Sequence, residues 1–152
     1  MNASIPLEAI WADIEYMEDY LNFEIRKGTW DGLKEFVDEV HASKQRFVPI
    51  VDAGFGARED YTYFKDGIDK DVFIKTTTRN STMIGKLDIK DVLLGRVWPG
   101  YAAFPDWFAP KTQQWWSDAL AEFYEKVPFD GIWIDMNEVT TLFDCDQECY
   151  PD

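Results

Sequence analysis

Gly131-Ile132-Trp133-Ile134-Asp135 is an unbroken apolar run closed by an acid, and it reads as a strand. Upstream, Pro110 suits the first turn of a helix whose apolar positions Thr112, Trp116, Ala119, Leu120 and Phe123 share one stripe; the pattern fades at Val127-Pro128. Earlier still, Phe47-Val48-Pro49-Ile50-Val51-Asp52 repeats the theme of an apolar run ending in Asp, although Pro49 removes a ladder donor and counts against a central place in a sheet. A helix precedes that run too. Thr29 is its expected N-cap and Ser43 its approximate end; Leu33, Phe36, Val37 and Val40 form one face, with Lys34, Glu35, Asp38 and Glu39 opposite. The first strand spans Pro6 to Ile14 and also carries an acid, Asp13, at its end.

Between these elements, Glu15 to Lys27 has no clear period and reads as a loop. Ala53 to Arg96 is the least regular stretch, with a small hairpin expected around Phe73-Ile74-Lys75 and Ile84-Gly85-Lys86. A connection of that length inside a compact domain usually serves as a lid or binding loop. Residues after Glu138 read as loop. The order strand, helix, strand, long loop, helix, strand is a repeated βαβ pattern, which requires an α/β fold with a parallel sheet and right-handed crossovers. Sites in such folds lie at the carboxyl ends of the strands, where Asp13, Asp52 and Asp135 fall. An Asp after a strand ordinarily serves as a turn or cap residue; three in phase favour chemistry.

The chain has 152 residues and a formal net charge of −14, with 46% of its residues hydrophobic. That profile is globular, and its length suits one domain. The acidic excess argues against a nucleic-acid partner, since phosphate binding relies on clustered Lys and Arg. No apolar run approaches the ~20 residues of a transmembrane helix. The 7 Trp, 7 Tyr and 11 Phe are either core or the flat walls of a sugar pocket. Cys145 and Cys149 are too few for a disulfide scaffold and fit no common zinc spacing, although a local disulfide is compatible with an oxidising compartment. Asn2-Ala3-Ser4 and Asn80-Ser81-Thr82 are sequons that matter only in a secreted protein. His41, the single histidine, suits a helix-end role, and no metal or cofactor site is expected.

Trp133-Ile134-Asp135-Met136-Asn137-Glu138 resembles the nucleophile motif of glycoside hydrolase family 31, the α-glucosidase family. Trp11-Ala12-Asp13-Ile14-Glu15-Tyr16-Met17 is similar to that family's second barrel strand. Gly95-Arg96-Val97-Trp98-Pro99-Gly100 with Phe104-Pro105-Asp106 is similar to the block before its fourth. The resemblance spans nearly the whole chain. It implies a partial (β/α)8 TIM barrel of about three βα units with a long inserted loop, and retaining hydrolysis of an oligosaccharide or other α-glucoside. By the same resemblance Asp135 is the nucleophile and Glu138 supports the site. Asp13 grips sugar hydroxyls, and Ile14, Phe55, Trp98, Trp133 and Met136 form the surrounding wall. Family members are often lysosomal, secreted or in the secretory pathway.

The chemistry suits these residue types. A carboxylate at the anomeric carbon can form a covalent glycosyl intermediate when a second carboxyl group about 5–5.5 Å away protonates the leaving oxygen. Val139-Thr140-Thr141 follows Glu138 where the family commonly has Pro-Ser. A complete barrel takes about 250 residues, and the family's acid/base Asp, an Arg and a His lie later in it. Residues 1–152 are accordingly expected to be one partial catalytic domain, truncated at both ends, that requires the remainder of the barrel. Three other readings compete: a fragment that binds sugar without cleaving it, an Asp-nucleophile phosphatase, and a calcium loop at Asp144, Asp146 and Glu148. The phosphatase lacks its second Asp, because Asn137 stands there, and the calcium loop lacks its Gly, which is replaced by Cys149.

Overall fold

A computed structural model describes residues 6–77, 83–89 and 91–142. In chain order these form β1 (Ala9–Ala12), α1 (Leu33–Ala42), β2 (Arg46–Asp52), β3 (Phe55–Gly56), α2 (Thr62–Lys70), β4 (Met83–Ile84), β5 (Leu87–Asp88), β6 (Leu94–Val97), β7 (Gly100–Ala103), α3 (Thr112–Lys126) and β8 (Trp133–Asp135). Short 3-10 turns occupy Ile14–Tyr16 and Glu18–Tyr20. The chain divides into two compact units, one of residues up to 51 with 121–135, the other of 52–120 with the residues from 136 on. Among the described residues the sheets are open and no barrel closes. No described helix is long and apolar enough to cross a membrane.

The first unit is built on the sheet β1-β2-β8. β1 and β2 run parallel, with Ala9 opposite Arg46 and Ala12 opposite Pro49, as the helical crossover between them requires. β2 is therefore central, against the expectation drawn from Pro49. Strand alternation explains why the β1 ladder survives: Phe47 turns its N–H and carbonyl towards Asp130, and Pro49, two residues on, faces that same side, so the donor it lacks is not one that β1 would have used. α1 buries Leu33, Val37 and Val40 and starts later than Thr29. The Asp31 side chain instead accepts from the Gly28 N–H at 3.0 Å, making residues 28–31 a turn. The segment expected as loop after β1 is compact, because Tyr16 and Phe23 are fully buried and both pack on Phe123 of α3.

Asp130, just before β8, joins three elements. Its carboxylate takes the Phe47 N–H at 2.8 Å, Arg46 Nη1 at 2.8 Å and His41 Nε2 at 2.7 Å, and its own N–H donates to the Phe47 carbonyl at 2.9 Å. Burial opposes its ionisation, but the hydrogen bonds from Phe47, Arg46 and His41 outweigh that cost and hold its carboxyl down at about 2. His41 thus closes the end of α1 onto the start of β8, a partner its position at a helix end did not reveal.

The second unit holds the inserted stretch. β6 and β7 form a hairpin, Leu94 opposite Ala103 and Val97 opposite Gly100, and β3 adds to β7 with Phe55 opposite Ala103. The small hairpin pairs Met83–Ile84 with Leu87–Asp88 about Gly85, whose φ of +60° permits the turn. Phe73 and Lys75 take no part in it; they bridge to Pro105 and Val92. The core is aromatic, with Phe55, Tyr61, Phe64, Phe73 and Trp115 all buried. Trp115, not the expected Trp116, is the deeply buried indole of α3, because Thr112, Trp115 and Ala119 align at helical spacing.

The segment after Glu138 is docked on β6. Arg96 N–H donates to Thr141 Oγ1 at 3.2 Å, and Leu142 N–H donates to the Arg96 carbonyl at 2.9 Å. A Cβ at Gly95 would stand 2.8 Å from the Thr140 carbonyl oxygen and 2.9 Å from the Phe104 ring, so this approach requires glycine.

Three outcomes follow from these contacts. The depressed Asp130 carboxyl stabilises the fold at any pH above the range where the unfolded acid titrates, and that contribution disappears as pH falls from about 4 to about 2. Urea unfolding followed by Trp fluorescence should therefore show Asp130→Asn weaker than the parent chain by about 1 kcal/mol at neutral pH, a figure discounted for the solvent-facing partners, with the two converging below about pH 2. By the same assay Gly95→Ala is expected to cost about 1–3 kcal/mol through overpacking. Gly131→Ala, whose methyl would meet Val48 at an ordinary 3.8 Å, should cost little.

Candidate functional site

Strand alternation fixes which side chains share a face. Trp11 lies opposite Val48 in the parallel register, and aligned residues of neighbouring strands point the same way. A Cβ on Gly131 would meet Val48 at 3.8 Å and Asp130 is bonded to Phe47, so the strand of Gly131 advances beside β2 in the same direction. Two and four residues on, Trp133 and Asp135 return to the Val48 face. The Trp11 and Trp133 rings meet there, with centroids 5.3 Å apart and planes tilted by 53°. Asp13 continues β1 in extended conformation, φ −83° and ψ −176°, and so joins Trp11 on that face.

One sheet face therefore carries Trp11 and Asp13 from β1 and Trp133 and Asp135 from β8. The signal was present in the sequence as a repeated Trp-x-Asp at two strand ends, Trp11-Ala12-Asp13 and Trp133-Ile134-Asp135. Trp11 went unrecognised because a single strand tryptophan reads as core; at 62% exposure it is not.

Local structure explains how Asp13 is held. It caps the turn Ile14–Tyr16, accepting the Ile14 N–H at 2.7 Å, and stays exposed while Ile14 is half-buried. Tyr16, wholly buried, anchors that turn by donating its hydroxyl to the Ile50 carbonyl at 2.7 Å. Trp133 is half-buried and Asp135 is exposed. Asp52 ends β2 as anticipated, but its carboxylate is buried, unlike Asp13 and Asp135.

The other expected residues lie in the second unit. Trp98 is exposed in the turn of the β6–β7 hairpin, and Glu138 is exposed. Met136 takes a left-handed conformation, φ +48°, which a side chain tolerates only when its surroundings hold it. Here Met136 packs with Ile74 against Val97, Ala102 and Phe104. Phe55 corrects the expected wall. It has no exposure and its ring is enclosed by Tyr61, Phe73, Trp115 and Trp116, because β3 turns it into the aromatic core.

Two cavities in the first unit contain none of the anticipated residues. One, about 390 Å³, is an apolar groove between β1 and α1; the other, about 460 Å³, surrounds His41, Lys44, Arg46 and Asp130 at the opposite strand ends. Among the described residues no cluster of His, Cys, Asp and Glu could hold a metal ion. Cys145, Cys149, the Asp144–Glu148 acids and both sequons lie outside the described residues.

Comparison with known proteins identifies the family. The family model described as the glycosyl hydrolases family 31 TIM-barrel domain matches residues 1–152. Glucoamylase 1 of Candida albicans is 38% identical over 147 residues, 91% of this chain and 14% of its own length. Lysosomal alpha-glucosidase of Rattus norvegicus is 35% identical over 150 residues, 97% of this chain and 15% of its own length. The crystal structure of a family 31 alpha-glucosidase from Bacteroides thetaiotaomicron superposes with a TM-score of 0.69 at 30% identity, covering 92% of this chain and 22% of that one. The chain thus spans about a seventh of the length of the curated relatives it matches. It belongs to glycoside hydrolase family 31.

Proposed function

We propose that this chain carries the nucleophile and part of the sugar-binding wall of a retaining α-glucoside hydrolase, completed by the remainder of a barrel. The observation that supports this most directly is the shared face of Trp11, Asp13, Trp133 and Asp135, two carboxylates beside two indoles. Asp135 attacks the anomeric carbon and displaces the leaving oxygen, forming a glycosyl ester. A second carboxyl group from outside this chain protonates that oxygen and then removes a proton from the water that cleaves the ester, restoring Asp135 with retained configuration. Asp13, one oxygen committed to the Ile14 N–H, accepts sugar hydroxyls with the other and opposes the developing positive charge. Trp133 and Trp98 offer flat apolar faces to the ring, Ile14 and Met136 fill the wall, and Glu138 supports the nucleophile's loop. Phe55 acts from behind the surface, as core.

The missing acid separates two substrates. With 4-nitrophenyl α-glucoside the isolated chain is expected to turn over no faster than buffer. A 5-fluoro-α-glucosyl fluoride needs far less proton assistance, because fluoride is a better leaving group, so it should add slowly to the chain and give a mass increase that maps to Asp135 and is absent from Asp135→Asn. A label on another carboxylate, or no label, overturns the assignment.

A further inference from the structure

Trp133 sits on a strand of three residues whose next two positions, Ile134 and Asp135, are exposed, so the strand provides little lateral packing to hold a large ring in one rotamer. Trp11 meets that ring at 5.3 Å from across β2 while remaining 62% exposed itself. An indole left so open adds little to the core. Its place, two residues before Asp13 and in contact with the indole two residues before Asp135, ties the orientation of one sugar-facing ring to the strand that carries the hydroxyl-gripping carboxylate.

The geometry points to Trp11 as a positioning residue that sets the tilt of Trp133 and thereby the angle at which a pyranose ring stacks on it. The inference rests on the proposed sugar site. Trp11 does not touch the sugar; it removes alternative rotamers of Trp133 before the sugar arrives, so its effect on affinity passes wholly through Trp133. The interaction of an aromatic pair corresponds to about a two- to tenfold change in affinity.

A double-mutant cycle on the 152-residue chain tests this, with maltose as the probe and binding read from broadening of its own proton resonances. Trp11→Ala should weaken maltose binding two- to tenfold, as above, and Trp11→Phe should restore most of it. In a Trp133→Ala background the change at Trp11 should have no further effect. Equal losses in both backgrounds, or no loss in the first, overturn the inference. Circular dichroism gives an independent readout: two indoles this close couple excitonically, so the parent-minus-variant difference spectra of Trp11→Phe and Trp133→Phe should each show the same couplet, with the signals of the Trp107–Trp116 and Trp115–Trp116 pairs cancelling. A missing couplet with maltose still bound overturns the positioning role alone. A present couplet with no maltose bound by the unmutated chain overturns the sugar site, and the inference with it. Cooperative urea unfolding, expected to be retained because Trp11 is exposed, confirms that the variants fold.

Discussion

The carboxylate of Asp130 determines where the site faces. It accepts the Phe47 N–H while the Asp130 backbone N–H donates to the Phe47 carbonyl, and together these bonds set the register of the following residues against β2. In a sheet a slip of one residue turns every side chain to the opposite face. Such a slip would take Trp133 away from Trp11 and carry Asp135 away from the face of Asp13. The Arg46 guanidinium adds charge and the His41 bond ties the end of α1 to the same point, so helix, central strand and β8 share one anchor. The anchor and the site occupy opposite ends of the strands. Substitutions around Asp135 therefore leave the hydrogen bonds that set the register in place.

Beyond Asp135 the chain is governed by close approach rather than by hydrogen-bonded strand. Met136 turns through a left-handed conformation, and its side chain is held by Val97, Ala102 and Phe104. The following residues rest on β6, where Gly95 admits the Thr140 carbonyl and Thr141 takes the Arg96 N–H. This gives Val139-Thr140-Thr141 a structural purpose where the family commonly has Pro-Ser. The hydroxyl of Thr141, two residues after Val139, is what the Arg96 N–H meets.

Aromatic residues fall into two populations that composition does not distinguish. Phe55, Phe64, Phe73 and Trp115 interlock in a core, while Trp11, Trp98 and Trp133 stay partly or largely in solvent. The difference arises from element geometry. α3 presents Trp115 inward at helical spacing, and β3 turns Phe55 onto it at 4.7 Å, whereas Trp11 and Trp133 project from the sheet face on which the strand ends place carboxylates.

Periodicity and local chemistry were enough to place the three main strands and the two long helices to within a few residues, because burying an apolar stripe or run constrains sequence directly. The acids at the strand ends and the motif around Asp135 were legible for the same local reason. Contacts between residues distant in sequence were not: the bonding of Asp130 to residues 41, 46 and 47, the pairing of Trp11 with Trp133, and the closure of Phe55 into the core. A helix cap such as Thr29 was misplaced because the side chain of Asp31 formed a competing turn. The amino-acid sequence by itself determined which residues are chemically equipped and which strand ends they occupy. Only the tertiary structure decided which of them share a face, because that depends on strand register, and register is set by hydrogen bonds between segments more than eighty residues apart.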